Sequence, residues 1–189
     1  MTRLDRQIDF LVEVDKLKSV LRATTLTDAS RRENSAEHSW HLTLYALILA
    51  DQAGPDVDIT RVIKMLILHD IVEIDAGDTP IYAKSDAAAT AAAEERAADR
   101  LFGLLPDDQR DEMRGLWDEF EAAASPSAQF AKALDRFQPP MQNLAAGGGS
   151  WTEFGVTTTQ IEARIGPPIE RGAPALWSYA KARIAAFFR

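Results

Sequence analysis

The segment from 69 to 78, which reads HDIVEIDAGD, places a histidine and several acids directly after the apolar run VIKMLIL. Such a run is typical of a buried helix, and burying ionisable side chains is costly unless they are paired or bind a metal ion. Glu73 lies one helical turn beyond His69 and Asp70, so the three side chains can share one face. The spacing indicates a buried polar site at the end of a helix.

The chain has only three histidines, His38, His41 and His69, and no cysteine. Any metal ion must therefore be held by imidazole, carboxylate or water. The segment EHSWH puts its glutamate first and spaces its histidines by three, which does not fit the H-E-x-x-H zinc-protease motif. A nucleophile elbow and a phosphate-binding loop with its lysine are also missing from the sequence. These exclusions leave a distributed site, with His38 on one helix, His69 and Asp70 on the next, and a later carboxylate.

Asp135 is the natural candidate for that later carboxylate. It interrupts an otherwise apolar helix face in the segment AKALDRFQPP. A single histidine on an apolar face is usually a hydrogen-bonded core residue, so the interpretation rests on the combination of these side chains and not on any one of them.

Helical periodicity dominates the chain and predicts an all-α fold. Six apolar side chains recur at three- and four-residue steps, as one buried face of a first helix requires: Leu4, Ile8, Leu11, Val14, Leu17 and Leu21. Residues 24–33 carry turn and capping residue types, and no alternating strand pattern stands out. Further helices are predicted over residues 35–52, from Asp58 or Thr60 to about 73, and over 86–103, 106–123, 125–144, 151–165 and 174–188, with Pro167 and Pro168 between the last two.

The length of 189 residues, 46% of them hydrophobic, fits one globular domain. We expect a single domain over residues 1–189, with its core at about 15–145, a flexible break at AAGGGS and a helical extension at about 150–189. The N-terminus has no uninterrupted apolar segment typical of a signal peptide, and no run approaches the length of a membrane span. A cytoplasmic protein with no membrane partner is therefore expected.

The formal net charge is −8, from 29 acidic and 21 basic residues. A general nucleic-acid-binding protein needs a basic surface, so a nucleic acid polymer is not expected as a partner. A small anionic ligand held by a local arginine fits this charge better. The tail APALWSYAKARIAAFFR carries many large apolar side chains, which predicts a homo-oligomer, a homodimer or larger, that covers them. The alternative is that this helix packs on its own domain.

The ordered set His38, His69-Asp70 and Asp135 resembles the H…HD…D pattern of the HD-domain metal-dependent phosphohydrolases. The segments RRENSAEHS, HDIVEIDAGD and KALD are similar to those of the small HD hydrolases that include the bacterial 5′-deoxynucleotidases, over roughly residues 15–145. The resemblance implies an HD-domain helical fold and one divalent metal ion (Mn, Co, Fe, Zn or Mg). Its ligands would be His38, His69, Asp70 and Asp135.

Two acids after the His-Asp pair match catalytic residues of this subgroup. The resemblance implies that Glu73 orients or deprotonates the attacking water and that Asp78 assists the leaving oxygen. For Asp78 the alternative is an ordinary turn or helix cap. In the deoxynucleotidases an Arg-Trp pair ahead of the EHS segment contacts phosphate and sugar, whereas this chain reads LRATTL. Arg22 could bind the phosphate, but no tryptophan follows it, so weak discrimination between ribose and deoxyribose is expected.

The expected function is release of phosphate from a small phosphomonoester, a nucleoside or deoxynucleoside 5′-monophosphate. The alternatives are an HD hydrolase that acts on nucleoside triphosphates or another phosphorylated metabolite, and a non-catalytic helical metal-binding regulatory module. Arg31, Arg32, Glu37 and His41 could lie at the edge of the site, or could form surface salt bridges and supporting contacts. The tryptophans, Trp151 among them, are expected in the core or at a subunit interface.

Overall fold

A computed structural model describes residues 1–84 and 86–189 of the chain, and helices dominate it. A small antiparallel hairpin pairs β1 (Leu21–Thr25) with β2 (Arg32–Asn34), and short 3-10 helices cover Asp15–Ser19 and Ala50–Gln52. The all-α fold class is confirmed. The helices in chain order are α1 (Arg3–Val14), α2 (Ser35–Ile48), α3 (Ile59–Leu68), α4 (Glu73–Ala76), α5 (Ala87–Phe102), α6 (Asp107–Ala122), α7 (Pro126–Ala145), α8 (Gly149–Glu153), α9 (Thr158–Gly172) and α10 (Pro174–Phe187).

The inward face of the N-terminal segment differs in part from the sequence prediction. The core takes Phe10 from α1 and Leu17 from the 3-10 helix that follows. Phe10 stacks on Phe102 with ring centroids 6.4 Å apart, and this contact turns the opposite face of the helix outward. Of the side chains predicted to be buried, Leu17 is in the core, whereas Leu4, Ile8 and Leu11 are 64, 49 and 59% exposed.

The hairpin of β1 and β2 is the second difference, because the sequence predicted only turn and capping residues there. Leu21 pairs with Asn34 and Thr25 pairs with Arg32, with an irregular register between them. Only Thr24 of β1 is buried, so the strand lacks the alternating pattern that identifies strands in a sequence. The hairpin carries two charged side chains, Arg22 and Glu33, into the protein.

The prediction that two prolines separate the last two helices is wrong. Pro167 and Pro168 lie inside α9 and not between two helices. A proline lacks one backbone donor and tends to kink a helix, but packing on both sides can hold the helix together. α9 packs closely on α7, since a Cβ added at Gly172 would lie 2.1 Å from the carbonyl oxygen of Gln129.

The tail helix α10 packs on its own chain. Its buried side chains are Leu176, Trp177, Ala180 and Ile184. This packing agrees with the alternative for these four side chains, whereas Tyr179, Phe187 and Phe188 of the same tail are 47, 39 and 39% exposed. The homo-oligomer stays a prediction, and further apolar side chains are exposed on α2, namely Trp40, Leu47 and Ile48. In the two described ranges, no helix combines the length and the apolar character needed to cross a membrane.

The central helix of the fold is α7. The helices α2, α3, α6, α9 and α10 all contact it, and it buries Phe130, Leu134 and Phe137 among them. Asp135 lies on the same helix and is only 4% exposed. Close packing around α7 therefore fixes the position of a buried carboxylate.

Candidate active site

His38 lies in the first turns of α2, where the chain leaves the hairpin. The side chain of Asn34 accepts a hydrogen bond from the backbone of Glu37, and the Glu37 carboxylate accepts one from the backbone of Asn34. This reciprocal capping fixes the start of the helix. His38 is fully buried, and its Nε2 lies 3.1 Å from Oδ1 of Asp135. The imidazole therefore points from α2 toward α7.

His69 and Asp70 lie just beyond α3, which ends at Leu68 and not near residue 73 as predicted. Nδ1 of His69 is 2.8 Å from the carbonyl oxygen of Leu66. Because a carbonyl oxygen only accepts, Nδ1 carries a proton, and Nε2 is the ring nitrogen that faces the cluster. Nε2 is buried and lies close to carboxylate oxygens, but no contact among the described residues has the geometry of a hydrogen bond. A histidine held in this way is oriented as a metal ligand.

Three of the four predicted metal ligands lie close together, and the fourth, Asp70, contacts one of them. Nε2 of His69 lies 2.9 Å from Oδ1 of Asp70 and 3.7 Å from Oδ1 of Asp135. One ligand atom from each of His38, His69 and Asp135 can be chosen so that all lie within 4.8 Å of one another. Two imidazoles and two carboxylates, with no thiolate, suit a divalent first-row cation. The residues present therefore fit the metal ion that the sequence predicted.

The charges in this cluster favour an added positive charge. Burial alone would lower the pKa of His69, but Asp70 and Asp135 outweigh it and raise that pKa to about 10. Burial would raise the pKa of Asp70, yet His69 and Arg22 hold it below its usual value. Burial also opposes ionisation of Asp135, while Arg136 and the two histidines keep its pKa well below the ordinary range. The carboxylates thus remain charged, and a proton or a cation near them is stabilised.

Arg22 reaches the cluster from β1. Its Nη1 lies 2.7 Å from Oδ2 of Asp70, 3.7 Å from Oδ1 of Asp78 and 3.8 Å from Oε1 of Glu73, and its Nε lies 3.8 Å from Oε2 of Glu33. The side chain is only 11% exposed. Its guanidinium is therefore shared among four acids, and the predicted contact with substrate phosphate stays a prediction.

Glu73 is the first residue of the short helix α4, and Asp78 follows shortly after the end of that helix. Oγ of Ser35 donates a hydrogen bond of 2.5 Å to Oε2 of Glu73. Burial and the neighbouring charge of Asp70 raise the pKa of Glu73 to about 8. Burial also raises the pKa of Asp78, although Arg22 opposes this rise. Each carboxyl group therefore holds a proton more strongly than an exposed acid does.

Glu33 is a site residue that the sequence analysis missed. It is 1% exposed, and its Oε2 lies 3.4 Å from Nδ1 of His38. Its Oε1 accepts hydrogen bonds from Gln138 at 3.3 Å and Gln142 at 2.7 Å. The only signal was an acid between Arg32 and the start of α2, where a surface position is the usual expectation. Glu33 places a negative charge behind the ring of His38, which helps orient that ring.

The residues that the sequence left unassigned form supporting contacts. Arg31 pairs with Glu37 on the surface at 2.9 and 2.5 Å. Arg32 donates to the carbonyl oxygen of Ala23 at 2.6 Å and also pairs with an acid of α8. Nδ1 of His41 lies 3.2 Å from the side-chain amide nitrogen of a buried glutamine of α7. The second interpretation of these residues, surface salt bridges and supporting contacts, is thus the one that the structure shows.

A cavity of about 500 Å³ opens beside the cluster. The acids of the cluster, the small side chains of Ala23 and Thr24, the loop at 78–83 and one face of α7 line it. Trp151 also contributes to the wall while being only 2% exposed, as expected for a core residue. This volume lies within the range of small-molecule binding sites.

Known proteins resemble this chain over most of its length. The model of a family described as HD domain matches residues 14–177. The 5′-deoxynucleotidase HDDC2 of Danio rerio is 29% identical over 164 residues, which cover 82% of this chain and 79% of that protein. The 5′-deoxynucleotidase YfbR of Shigella flexneri is 28% identical over 170 residues, 85% of this chain and 83% of that protein. A crystal structure of a predicted metal-dependent phosphohydrolase from Magnetospirillum magnetotacticum is 50% identical, with a TM-score of 0.94 over 99% of this chain and 93% of that chain.

The chain therefore belongs to the HD domain family. The family that the sequence resembles is confirmed, and with it the expected class of enzyme, an HD-superfamily phosphohydrolase. The alternative of a non-catalytic regulatory module is not supported.

The position of Glu33 behind His38 makes a prediction about metal affinity. We expect Glu33→Gln to weaken binding of Mn²⁺ or Co²⁺ by about 10- to 100-fold, because the neutral amide orients the imidazole less well. Titration of the metal-free protein in the presence of a competing chelator measures this affinity. The control is Glu112→Gln on α6, whose side chain is 54% exposed and pairs with Lys64 on the surface. Equal affinities in the two variants would show that Glu33 does not support His38.

Proposed function

We propose that this enzyme removes phosphate from nucleoside and deoxynucleoside 5′-monophosphates. The observation that carries the proposal is the meeting of two histidines and two aspartates with two further acids at the wall of a cavity of about 500 Å³. A cavity of this size suits one small ligand better than a polymer. The nucleotide is supported by the relatives at 29% and 28% identity, which are 5′-deoxynucleotidases.

His38, His69, Asp70 and Asp135 would hold one divalent ion, whose identity among Mn, Co, Fe, Zn and Mg stays open. When bound, such an ion lowers the pKa of water and withdraws charge from the phosphoryl oxygens. The cluster's buried, charged carboxylates and the buried Nε2 of His69 that faces them support this assignment.

Glu73 and Asp78 would handle the protons. Glu73 is next to the proposed ligands and is held by Ser35, so it can orient the attacking water and take its proton. Asp78 lies on the loop that lines the cavity, where it can give a proton to the departing 5′ oxygen. Arg22 lies between both acids and Asp70, and its charge keeps these carboxyl groups together.

Replacing Glu73 tests whether this residue transfers a proton without binding the metal ion. We expect Glu73→Gln to lower kcat by about 10²- to 10⁴-fold, because the amide cannot accept the proton, while the metal content stays unchanged. Asp75→Asn is the matched control on the same short helix, since Asp75 pairs with Arg100 away from the cluster. The measurements are kcat and the metal content of both variants. Full kcat in the Glu73 variant would refute its role, and loss of metal would make Glu73 a ligand.

The sugar specificity depends on the cavity wall that follows Arg22. Ala23 and Thr24 line the cavity, and rejecting a 2′-hydroxyl requires a group that packs where this hydroxyl would lie. Two small side chains leave room for it. We therefore propose weak discrimination between ribose and deoxyribose.

Assays of the metal-loaded protein against nucleoside mono-, di- and triphosphates and sugar phosphates test the substrate class. We expect the 5′-monophosphates to give the highest kcat/KM, and matched ribo- and deoxyribonucleotides to differ by less than about a hundredfold, which corresponds to about 2.7 kcal/mol. Ala23→Trp should raise the preference for deoxyribonucleotides by narrowing this wall. Faster turnover of triphosphates or sugar phosphates would contradict the proposed substrate. A larger sugar preference in the unchanged protein would mean that another wall residue, such as Trp151, excludes the hydroxyl.

A further inference from the structure

The side chain of Asn143 is a polar group of the cavity wall that the proposed mechanism does not use. It lies on α7, about two turns beyond Asp135, and is only 3% exposed. Its Oδ1 accepts hydrogen bonds from the backbone nitrogen of Ser150 at 3.0 Å and from Oγ of Ser150 at 3.1 Å. Because a backbone nitrogen can only donate, the atom facing it must be the amide oxygen, and the orientation of the Asn143 amide is determined.

The amide nitrogen of Asn143 therefore points away from Ser150. Within residues 1–84 and 86–189, Nδ2 forms no hydrogen bond. It also differs from fully enclosed atoms that lack a partner, such as Oε1 of Gln142, because it keeps accessible surface. Since Asn143 lines the cavity, this wall offers an amide donor at a fixed position to a ligand.

The turn between α7 and α8 holds this arrangement. Gly147, Gly148 and Gly149 have φ values of 68, 115 and 45°, and they lead the chain from one helix into the next. A Cβ added at Gly149 would lie 2.5 Å from Oδ1 of Asn143, so a glycine is needed for α8 to approach this amide. An amide fixed in advance loses little conformational freedom when it binds a ligand.

The chemistry of the cavity wall changes along α7. Asp135 lies between Lys132 and Asn143, and all three line the cavity. On the Lys132 side the wall is charged, since Glu94 and Glu121 lie close to that lysine. On the Asn143 side the wall is mainly apolar and is formed by Pro139, Pro140, Trp151, Phe154 and Val156. An apolar wall with one placed polar group is typical of a small-molecule site and suits a neutral aromatic base.

The distance along α7 also favours the base. Asn143 follows Asp135 by eight residues, which correspond to about 12 Å of helix. In a nucleoside 5′-monophosphate the sugar follows the phosphate directly, and the base lies beyond the sugar. With the phosphate at the proposed metal ligands, the base is therefore the part of the substrate that extends far enough to meet Asn143.

We propose that Asn143 binds the nucleobase of the substrate by donating a hydrogen bond from Nδ2 to a carbonyl oxygen or ring nitrogen of the base. The apolar wall beside Asn143 packs against the same base. This inference rests on the proposed function, because it assigns a base-binding residue to the same site. It gives the enzyme a physical reason to bind nucleotides more tightly than sugar phosphates.

Replacing Asn143 by aspartate separates the contact with Ser150 from the contact with the base. The carboxylate of Asn143→Asp still accepts both hydrogen bonds from Ser150, but it cannot donate to a ligand. One probe is a phosphonate analogue of uridine 5′-monophosphate, whose phosphorus–carbon bond is not hydrolysed. The other probe is the same phosphonate of ribose, which has no base. Calorimetry with the metal-loaded protein measures the binding of both.

We expect Asn143→Asp to weaken binding of the uridine phosphonate by about tenfold or more, because a carboxylate then faces the acceptor of the base. Binding of the ribose phosphonate should change by less than about threefold, since its contacts lie at the other groups of the site. The control is Gln129→Glu on α7, which adds the same charge outside the cavity. It should leave the binding of both probes unchanged.

The outcomes separate this inference from the proposed function. Equal weakening of both probes, unchanged binding of the uridine phosphonate, or its failure to bind the unchanged protein would each overturn the inference. If the unchanged protein binds this probe through Asn143 but hydrolyses no nucleotide, the inference holds and the proposed function fails. If it hydrolyses nucleotides while Asn143→Asp binds the probe as the control does, only the inference fails. If Asn143→Asp does not fold, Asn143→Ala carries the same comparison between the two probes.

Discussion

The site depends on the cost of burying Asp135 in the middle of the central helix α7. A carboxylate that is 4% exposed is tolerated only with positive charge or hydrogen-bond donors nearby. His38 supplies one such contact from α2 and His69 another from the end of α3. Because both helices pack on α7 through apolar side chains, the same interactions that build the core also bring these groups together. Folding and assembly of the site are thus one process.

The hairpin extends this arrangement. It contributes Arg22, which pairs with Asp70, and Glu33, which faces His38. The two residues have opposite charges and lie on neighbouring strands, so the hairpin adds little net charge while it fixes the orientation of groups on α2 and beyond α3. In the proposed enzyme, Arg22 pairs with the acids of the cluster, and Glu73 and Asp78 move protons.

Much of this could be predicted from the sequence, for reasons that differ between residues. His38, His69, Asp70 and Asp135 stood out because ionisable side chains interrupt apolar helices, and their convergence follows from how such helices pack. Glu33 could not be identified, because an acid beside a helix start looks like a surface residue until its partners across the chain are known. The buried face of α1 and the irregular hairpin depend on tertiary contacts such as Phe10 with Phe102. Helical spacing alone does not specify those contacts.

The proposed mechanism requires one cation, held where the two histidines and two aspartates meet. Anomalous diffraction from crystals of the protein loaded with Zn²⁺ tests this requirement most directly. We predict a single strong peak at about 2.0–2.2 Å from Nε2 of His38, Nε2 of His69 and a carboxylate oxygen of each of Asp70 and Asp135. A peak elsewhere, or one that leaves Asp135 outside coordination distance, would contradict the proposed metal site.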